Sequence, residues 1–77
     1  MTEQEFNEKF GGMAVKFYYY YKYCFSFASS DNRLRLDVGC DQSDIYRLDI
    51  EVDKEYLAKD LPIFRAYYDG KNVYNDD

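Results

Sequence analysis

The chain has 77 residues, including ten Tyr and six Phe, and its formal net charge is −5. A chain of this length forms a single domain, residues 1–77, with a thin core that its aromatic side chains must fill. It contains no His, so the side chain used most often as general base and metal ligand is missing, which counts against most hydrolases and metal sites. Its acidity disfavours loose binding to nucleic acid and to anionic membranes.

The N-terminal residues predict a short helix. Thr2 is a favourable N-cap, and Glu5, three residues later, completes a capping box. Phe6 and Phe10 are four residues apart and therefore share one helical face. Gly11-Gly12 is expected to end the helix, because Gly readily adopts the left-handed conformation found at helix C-termini.

After this helix the apolar residues recur with a period of two, which is typical of β-strands. The alternation from Ala14 to Ala28 predicts one long strand, with a bulge or bend near the tyrosine run because few strands are that long. After the turn residues Ser29–Asn32, alternation continues from Leu34 to Cys40 and again from Tyr46 to Val52. Three alternating segments separated by turns predict a three-stranded antiparallel β-meander.

Beyond Asp53 the apolar spacing returns to three or four residues, at Leu57, Leu61, Phe64 and Tyr68. This spacing predicts C-terminal helical structure. Pro62 interrupts it, giving one kinked helix or two short helices with the second beginning near Asp60, and Asp69-Gly70 either ends the last helix or forms a tight turn. The predicted fold is therefore α+β: a short N-terminal helix, a three-stranded antiparallel meander and C-terminal helical segments packed on one sheet face.

The loop at Ser29–Asn32 sets the predicted register of the first two strands, with Phe27 opposite Leu34. A slip of one residue would pair apolar with charged side chains, so the faces are well specified. The odd-numbered residues of the long strand are predicted to face the core, among them Tyr19, Tyr21 and Tyr23.

The sequence carries no catalytic, cofactor-binding or metal-binding signature. Cys24 has no His to activate it, and the predicted register places it on the opposite sheet face from Cys40, so both are expected to be free thiols. The acidic turn with Asp37, Asp41 and Asp44 lacks the ligand spacing of a calcium loop, and the preference of Asp for turns explains it better. We therefore expect a protein that is not an enzyme and uses no cofactor.

The sheet face turned away from the helices is the first candidate for binding a partner. Exposed Tyr flanked by Arg is the composition of binding hot spots. The candidate residues on this face are Tyr18, Tyr20, Lys16, Lys22, Arg33, Arg35 and Arg47. The same pattern is also explained by the strand propensity of Tyr and by cross-strand ion pairs on a solvated face, so both interpretations stay open.

The expected function is binding to another protein. In size and charge the chain looks like the small acidic proteins that phages encode against host defence, anti-CRISPR proteins included, which implies an inhibitor of a larger, nucleic-acid-binding protein. A basic groove on such a partner would meet a second candidate surface, which is acidic. Its residues are Glu3, Glu5, Glu8, Asp53, Glu55 and Asp60.

Two other modes of binding remain open. Tyr18 and Tyr20 would stack the bases of a single-stranded nucleic acid while the neighbouring cations meet its phosphates. The open edges of a three-stranded sheet and its exposed Tyr face would also permit a homodimer.

We expect a cytoplasmic protein, in the host cytoplasm if a phage encodes it, with no membrane partner. The apolar run at residues 13–28 is too short to cross a bilayer and is interrupted by Lys16, Lys22 and Ser26. The start of the chain is rich in Glu, whereas a signal peptide begins with a cationic segment.

Overall fold

The computed structural model of the chain describes residues 1–21, 24–39 and 53–74. In chain order the described elements are α1 (Glu3–Phe10), β1 (Ala14–Tyr21), β2 (Cys24–Ser29), β3 (Leu34–Val38), β4 (Glu55–Leu57), a 3-10 turn (Ala58–Asp60), β5 (Ile63–Tyr68) and β6 (Lys71–Asn72). The strands form one antiparallel sheet of six, in the order β4-β1-β2-β3-β5-β6. The α+β class is as predicted, but the three-stranded meander with C-terminal helices is wrong.

The predicted long strand from Ala14 to Ala28 is two strands. β1 and β2 pair antiparallel, with Phe17 opposite Phe27. The physical reason is burial: folding the segment back on itself brings Phe17 within 5.8 Å of Phe25 and 6.0 Å of Phe27, measured between ring centroids, whereas one extended strand would spread these rings along a line. Residues 22–23, which join the two strands, lie outside the described residues.

The predicted C-terminal helices are replaced by β4, the 3-10 turn, β5 and β6. Segment Ile63–Tyr68 is rich in aromatic and β-branched side chains, which favour a strand. Pro62 directly before it cannot donate the backbone hydrogen bond that one continuous helix needs, and the strand propensity of the residues after it disfavours a second short helix. β5 completes its backbone hydrogen bonds with β3 instead, where Leu36 lies opposite Ala66.

Of the two alternatives for Asp69-Gly70, the tight turn is correct. Both residues have positive φ, 53° and 82°, which is the pattern of the type I′ turn that joins hairpin strands. The turn links β5 to β6, with Tyr68 opposite Lys71.

The register of β2 and β3 differs from the prediction by two residues. Phe27 lies opposite Leu36 and not opposite Leu34. Ser29 stays in β2 because its hydroxyl accepts a hydrogen bond from the Leu34 N–H at 3.1 Å. A shift of two preserves the predicted faces of both strands. The predicted strand Tyr46–Val52 lies outside the described residues, as does Cys40.

The hydrophobic core lies between α1 and one face of the sheet. The capping prediction is confirmed, since Thr2 Oγ1 accepts a hydrogen bond from the Glu5 N–H at 3.1 Å. Phe6 and Phe10 of α1 are buried and meet the rings of Tyr74 and Tyr68 at 5.0 and 5.1 Å. The other core residues are Val15, Phe25, Phe27, Leu34, Leu36, Val38, Ala58, Leu61 and Ala66. Aromatic side chains thus fill much of the core, because one short helix alone supplies too little apolar volume.

Gly11 ends α1 for a different reason from the one predicted. Its φ is −63°, in the right-handed region, so left-handed freedom is not what this position requires. A Cβ at Gly11 would clash with the carbonyl oxygen of Asn7, whereas a Cβ at Gly12 would meet nothing within 4 Å. The absent side chain at Gly11 therefore permits a close backbone approach.

We expect Gly11→Ala to lower the free energy of unfolding by about 1–3 kcal/mol, because the last turn of α1 must shift to relieve the contact with Asn7. Gly12→Ala is the matched control, and it should change stability by less than about 0.5 kcal/mol. Urea denaturation of the two variants measures the difference. Equal stability of both would show that the backbone at Gly11 accommodates a side chain freely.

Candidate partner-binding face

The sheet face opposite α1, here called the outer face, carries a row of cross-strand neighbours. The row runs from Glu55 through Lys16, Ala28 and Arg35 to Tyr67, one residue from each of five strands. Ala28 and its outer-facing neighbour Ser26 belong to the central strand β2 and are small, yet they are only 8% and 5% exposed. Larger side chains from the flanking strands therefore lie over them.

A β-bulge in β1 decides which tyrosines reach this face. The register of β1 and β2 shifts between Phe17 and Tyr19, so that Tyr18 is an extra residue. Beyond the bulge, Tyr19 lies opposite Ser26 on the outer face and Tyr20 lies opposite Phe25 of the core.

The predicted alternation therefore holds only up to the bulge. Tyr18 is on the outer face as predicted, but Tyr19 is there too and not in the core. Tyr20 was predicted on the outer face, and this is wrong, since its ring packs 5.3 Å from that of Phe25. Tyr20 is nevertheless about half exposed, because it lies at the end of the sheet. The side chain of Tyr21 and residue Tyr23 are outside the described part of the chain.

Arg35 joins the two outer tyrosines into one cluster. Its guanidinium carbon lies 4.7 Å from the ring centroid of Tyr18 and 5.8 Å from that of Tyr19, distances at which a cation is attracted by a ring face. Tyr18 and Tyr19 themselves meet edge to face at 5.2 Å. Arg35 is on β3 and both tyrosines are on β1, so the guanidinium crosses β2, where Ala28 leaves room for it. We call Tyr18, Tyr19 and Arg35 the Tyr–Arg cluster.

The other predicted cations are arranged differently. Lys16 is on the outer face opposite Glu55. Arg33 lies at the rim and binds Asp69 through two hydrogen bonds, of 3.0 Å from Nε and 2.9 Å from Nη2. Its guanidinium also lies 5.1 Å from the ring of Tyr68. Lys22 and Arg47 are outside the described residues.

Hydrogen bonds between Arg33 and Asp69 shift the pKa of both groups. They hold the pKa of the Asp69 carboxyl below its ordinary value of 3.8 and raise the pKa of the Arg33 guanidinium. Asp31 in the β2–β3 loop also has a lowered pKa, because its carboxylate accepts hydrogen bonds from the Ser29 hydroxyl and the Arg33 N–H. The charge of Arg33 is thus compensated by carboxylates at the rim of the outer face.

Sequence reasoning missed two outer-face residues, Arg65 and Tyr67, because it assigned them to a helix. Arg65 Nε lies 4.0 Å from Asp37 Oδ2, and a hydrogen bond with Tyr67 raises the pKa of Arg65. Asp37 also accepts a hydrogen bond from the Ser26 hydroxyl at 2.8 Å. The alternation Arg65-Ala66-Tyr67 was the available signal.

Two open grooves flank the Tyr–Arg cluster. One, of about 330 Å³, is lined by Tyr19, Asn32, Arg33, Arg35, Asp37, Tyr67 and Gly70. The other, of about 350 Å³, lies on the side of Lys16, Tyr18, Ala28 and Glu55. Both grooves are open to solvent.

The second candidate surface, the acidic one, is dispersed over separate elements. Glu3, Glu5 and Glu8 are exposed on α1, on the core side of the sheet. Glu55 belongs to the outer face, next to Lys16. Asp53 and Asp60 are exposed before β4 and at the end of the 3-10 turn. The six residues are therefore not gathered on one face.

The pairing of Arg33 with Asp69 is testable through the pKa of Asp69. Because this pKa is lowered in the folded protein, the ion pair stabilises the fold above the ordinary pKa of 3.8, and the contribution is lost as the pH falls through the folded value. We expect Arg33→Ala to raise the pKa of Asp69 toward 3.8 and Arg65→Ala to leave it unchanged, as followed by the NMR shift of the Asp69 carboxyl carbon. An unaltered pKa in Arg33→Ala would mean that Arg33 is free to meet a ligand.

In residues 1–21, 24–39 and 53–74, no three His, Cys, Asp or Glu side chains are grouped so as to hold a metal ion. Within the same ranges, no helix has the length and apolar character needed to cross a membrane. The Cys24 thiol is free.

Comparison of the chain with protein-family models, curated proteins and solved structures found no match.

Proposed function

We propose that this chain is a non-enzymatic protein-binding module that contacts its protein partner through the outer face. The observation that carries the proposal is the Tyr–Arg cluster, in which Tyr18 and Tyr19 are 55% and 43% exposed and share one guanidinium. Tyr and Arg are enriched among the residues that dominate binding energy at protein interfaces. A Tyr side chain also gives a large contact area at a small cost in conformational entropy.

The arrangement of the cluster favours binding over a merely solvated face. A single exposed aromatic residue would need no explanation. Here a bulge turns two consecutive tyrosines to the same side, and the small side chain of Ala28 lets Arg35 reach them across a strand. A bulge that re-aims side chains is typical of functional positions.

The inhibitor role is part of the proposal and is supported by the small size of the chain. Small acidic proteins can occupy a surface of a larger protein without performing chemistry. The cytoplasm is the proposed location, and a homodimer formed through the outer face is the competing protein partner.

Binding of single-stranded nucleic acid is the less favoured function. Arg33, one of the cations proposed to meet phosphates, is already paired with Asp69. Among the described residues, the carboxylates of Asp37 and Glu55 share the outer face with the cations Lys16, Arg35 and Arg65. Since affinity for nucleic acid depends mainly on uncompensated cations, this near balance of charge opposes it.

The test is a quantitative pull-down from an extract of the cells that make the protein. We expect the double variant Tyr18→Ala/Tyr19→Ala to capture at least about ten times less partner than the wild type, because it removes both exposed rings. Glu3→Gln/Glu8→Gln is the control for the acidic surface and should capture a normal amount.

Normal capture by Tyr18→Ala/Tyr19→Ala together with reduced capture by Glu3→Gln/Glu8→Gln would assign binding to the acidic surface instead. Light scattering on the purified protein tests the homodimer, which would dissociate in Tyr18→Ala/Tyr19→Ala. Undiminished capture by that variant would exclude the outer face.

A further inference from the structure

Arg35 differs from the other two arginines in the described part of the chain. Arg33 uses its Nε and Nη2 donors on Asp69, and Arg65 lies beside Asp37. For Arg35, the contacts within residues 1–21, 24–39 and 53–74 are the ring faces of Tyr18 and Tyr19, and no described carboxylate forms an ion pair with it. Contact with a ring face leaves the N–H groups at the edge of the guanidinium available.

The two rings also restrict the position of this guanidinium. An exposed Arg side chain loses considerable conformational freedom when it binds a ligand. The guanidinium of Arg35 is already held over β2 by Tyr18 and Tyr19, so part of that entropy has been lost before any ligand arrives. A planar group held in this way is suited to a planar, two-oxygen anion, which it binds through two parallel hydrogen bonds.

The groove beside Arg35 leaves space for such an anion and for the residue that carries it. It has a volume of about 330 Å³, and its lining includes Tyr19 and Tyr67 together with Asn32, Arg33 and Asp37. Asp37, which would repel an anion, is countered by the Ser26 hydroxyl at 2.8 Å and by Arg65 at 4.0 Å. The groove therefore combines an available cation, Arg35, with two aromatic residues, Tyr19 and Tyr67.

We infer that the outer face recognises an acidic side chain, Asp or Glu, on the protein partner. Its carboxylate accepts two hydrogen bonds from Arg35, and an adjacent apolar or aromatic residue of the partner packs against Tyr19 and Tyr67. This inference rests on the proposed function and adds the chemistry of the partner. Ala28 acts as a positioning residue, because only a small side chain there lets Arg35 reach Tyr18.

Selection of a random twelve-residue peptide display library on the immobilised protein tests the inference. The expected result is enrichment of peptides with Asp or Glu next to an apolar residue. A selected peptide is then synthesised, and its Kd is measured by fluorescence polarisation for the wild type and for each variant. Circular dichroism confirms that each variant is folded.

The variants separate charge, geometry and position. Arg35→Gln should weaken peptide binding by about ten-fold or more, the effect of losing a hydrogen-bonded charge. Arg35→Lys keeps the charge but lacks the planar fork, so it should also weaken binding. Ala28→Leu blocks the path of Arg35 across β2 and should weaken binding at unchanged net charge. Lys59→Gln removes a cation from the 3-10 turn and is the charge-matched control, with an unchanged Kd.

Each other outcome overturns the inference. Selection of neutral or basic peptides that still require Tyr18 and Tyr19 would refute the acidic partner and keep the protein-binding function. Acidic peptides whose Kd is unaffected by Arg35→Gln or Ala28→Leu would refute the assigned site. No selected peptide, together with tight binding of a labelled single-stranded oligonucleotide that depends on Arg35, would refute both the inference and the proposed function.

Discussion

The pairing of β1 with β2 folds the most aromatic stretch of the chain back on itself, and its register governs both faces of the sheet. Phe17 and Phe27 meet at the centre of this pair and anchor the core side. One extra residue, Tyr18, then reverses the orientation of everything that follows it in β1. Because successive strand residues point to opposite faces, this insertion is the cause of two adjacent tyrosines on the outer face.

The Tyr–Arg cluster also depends on the small outer-facing residues of β2. Neighbouring strands lie about 4.8 Å apart, so a side chain on β3 that contacts one on β1 must cross roughly twice that distance. Arg35 is long enough to do so only because β2 presents Ala28 and Ser26 beneath it. Because β2 has large residues on its inner face and small residues on its outer face, the guanidinium of Arg35 can lie across it.

Local signals in the sequence predicted local features well. The N-cap at Thr2 and the inward faces of β2 and β3 follow from capping and alternation, which depend on nearby residues alone. The chain reversal after β1 was not predictable in this way, since Lys22-Tyr23 is not among the dipeptides that mark tight turns. The bulge was anticipated near the tyrosine run, but its position was not, because a run of identical residues gives no preference for one register.

The C-terminal error has a different physical origin. The apolar spacing of three to four residues came by coincidence from a 3-10 turn and two strands. In the prediction this spacing was given more weight than the β propensity of Ile63–Tyr68. As a result, Arg65 and Tyr67 were assigned to a helix and were not recognised as residues of the outer face. Part of the candidate site thus depends on long-range pairing with β3, which a local pattern does not contain.

Exposed aromatic rings on a sheet face are a hazard for a small protein, because they invite nonspecific association. Arg35 lessens that hazard in the unbound protein by placing a charge over Tyr18 and Tyr19. In the proposed function the same guanidinium recognises the partner, so the group that covers the rings in the free protein also selects the partner that covers them in the complex. The proposed carboxylate would satisfy the N–H groups of Arg35 without displacing its guanidinium from the rings, whereas a cationic group on a partner would be repelled by it.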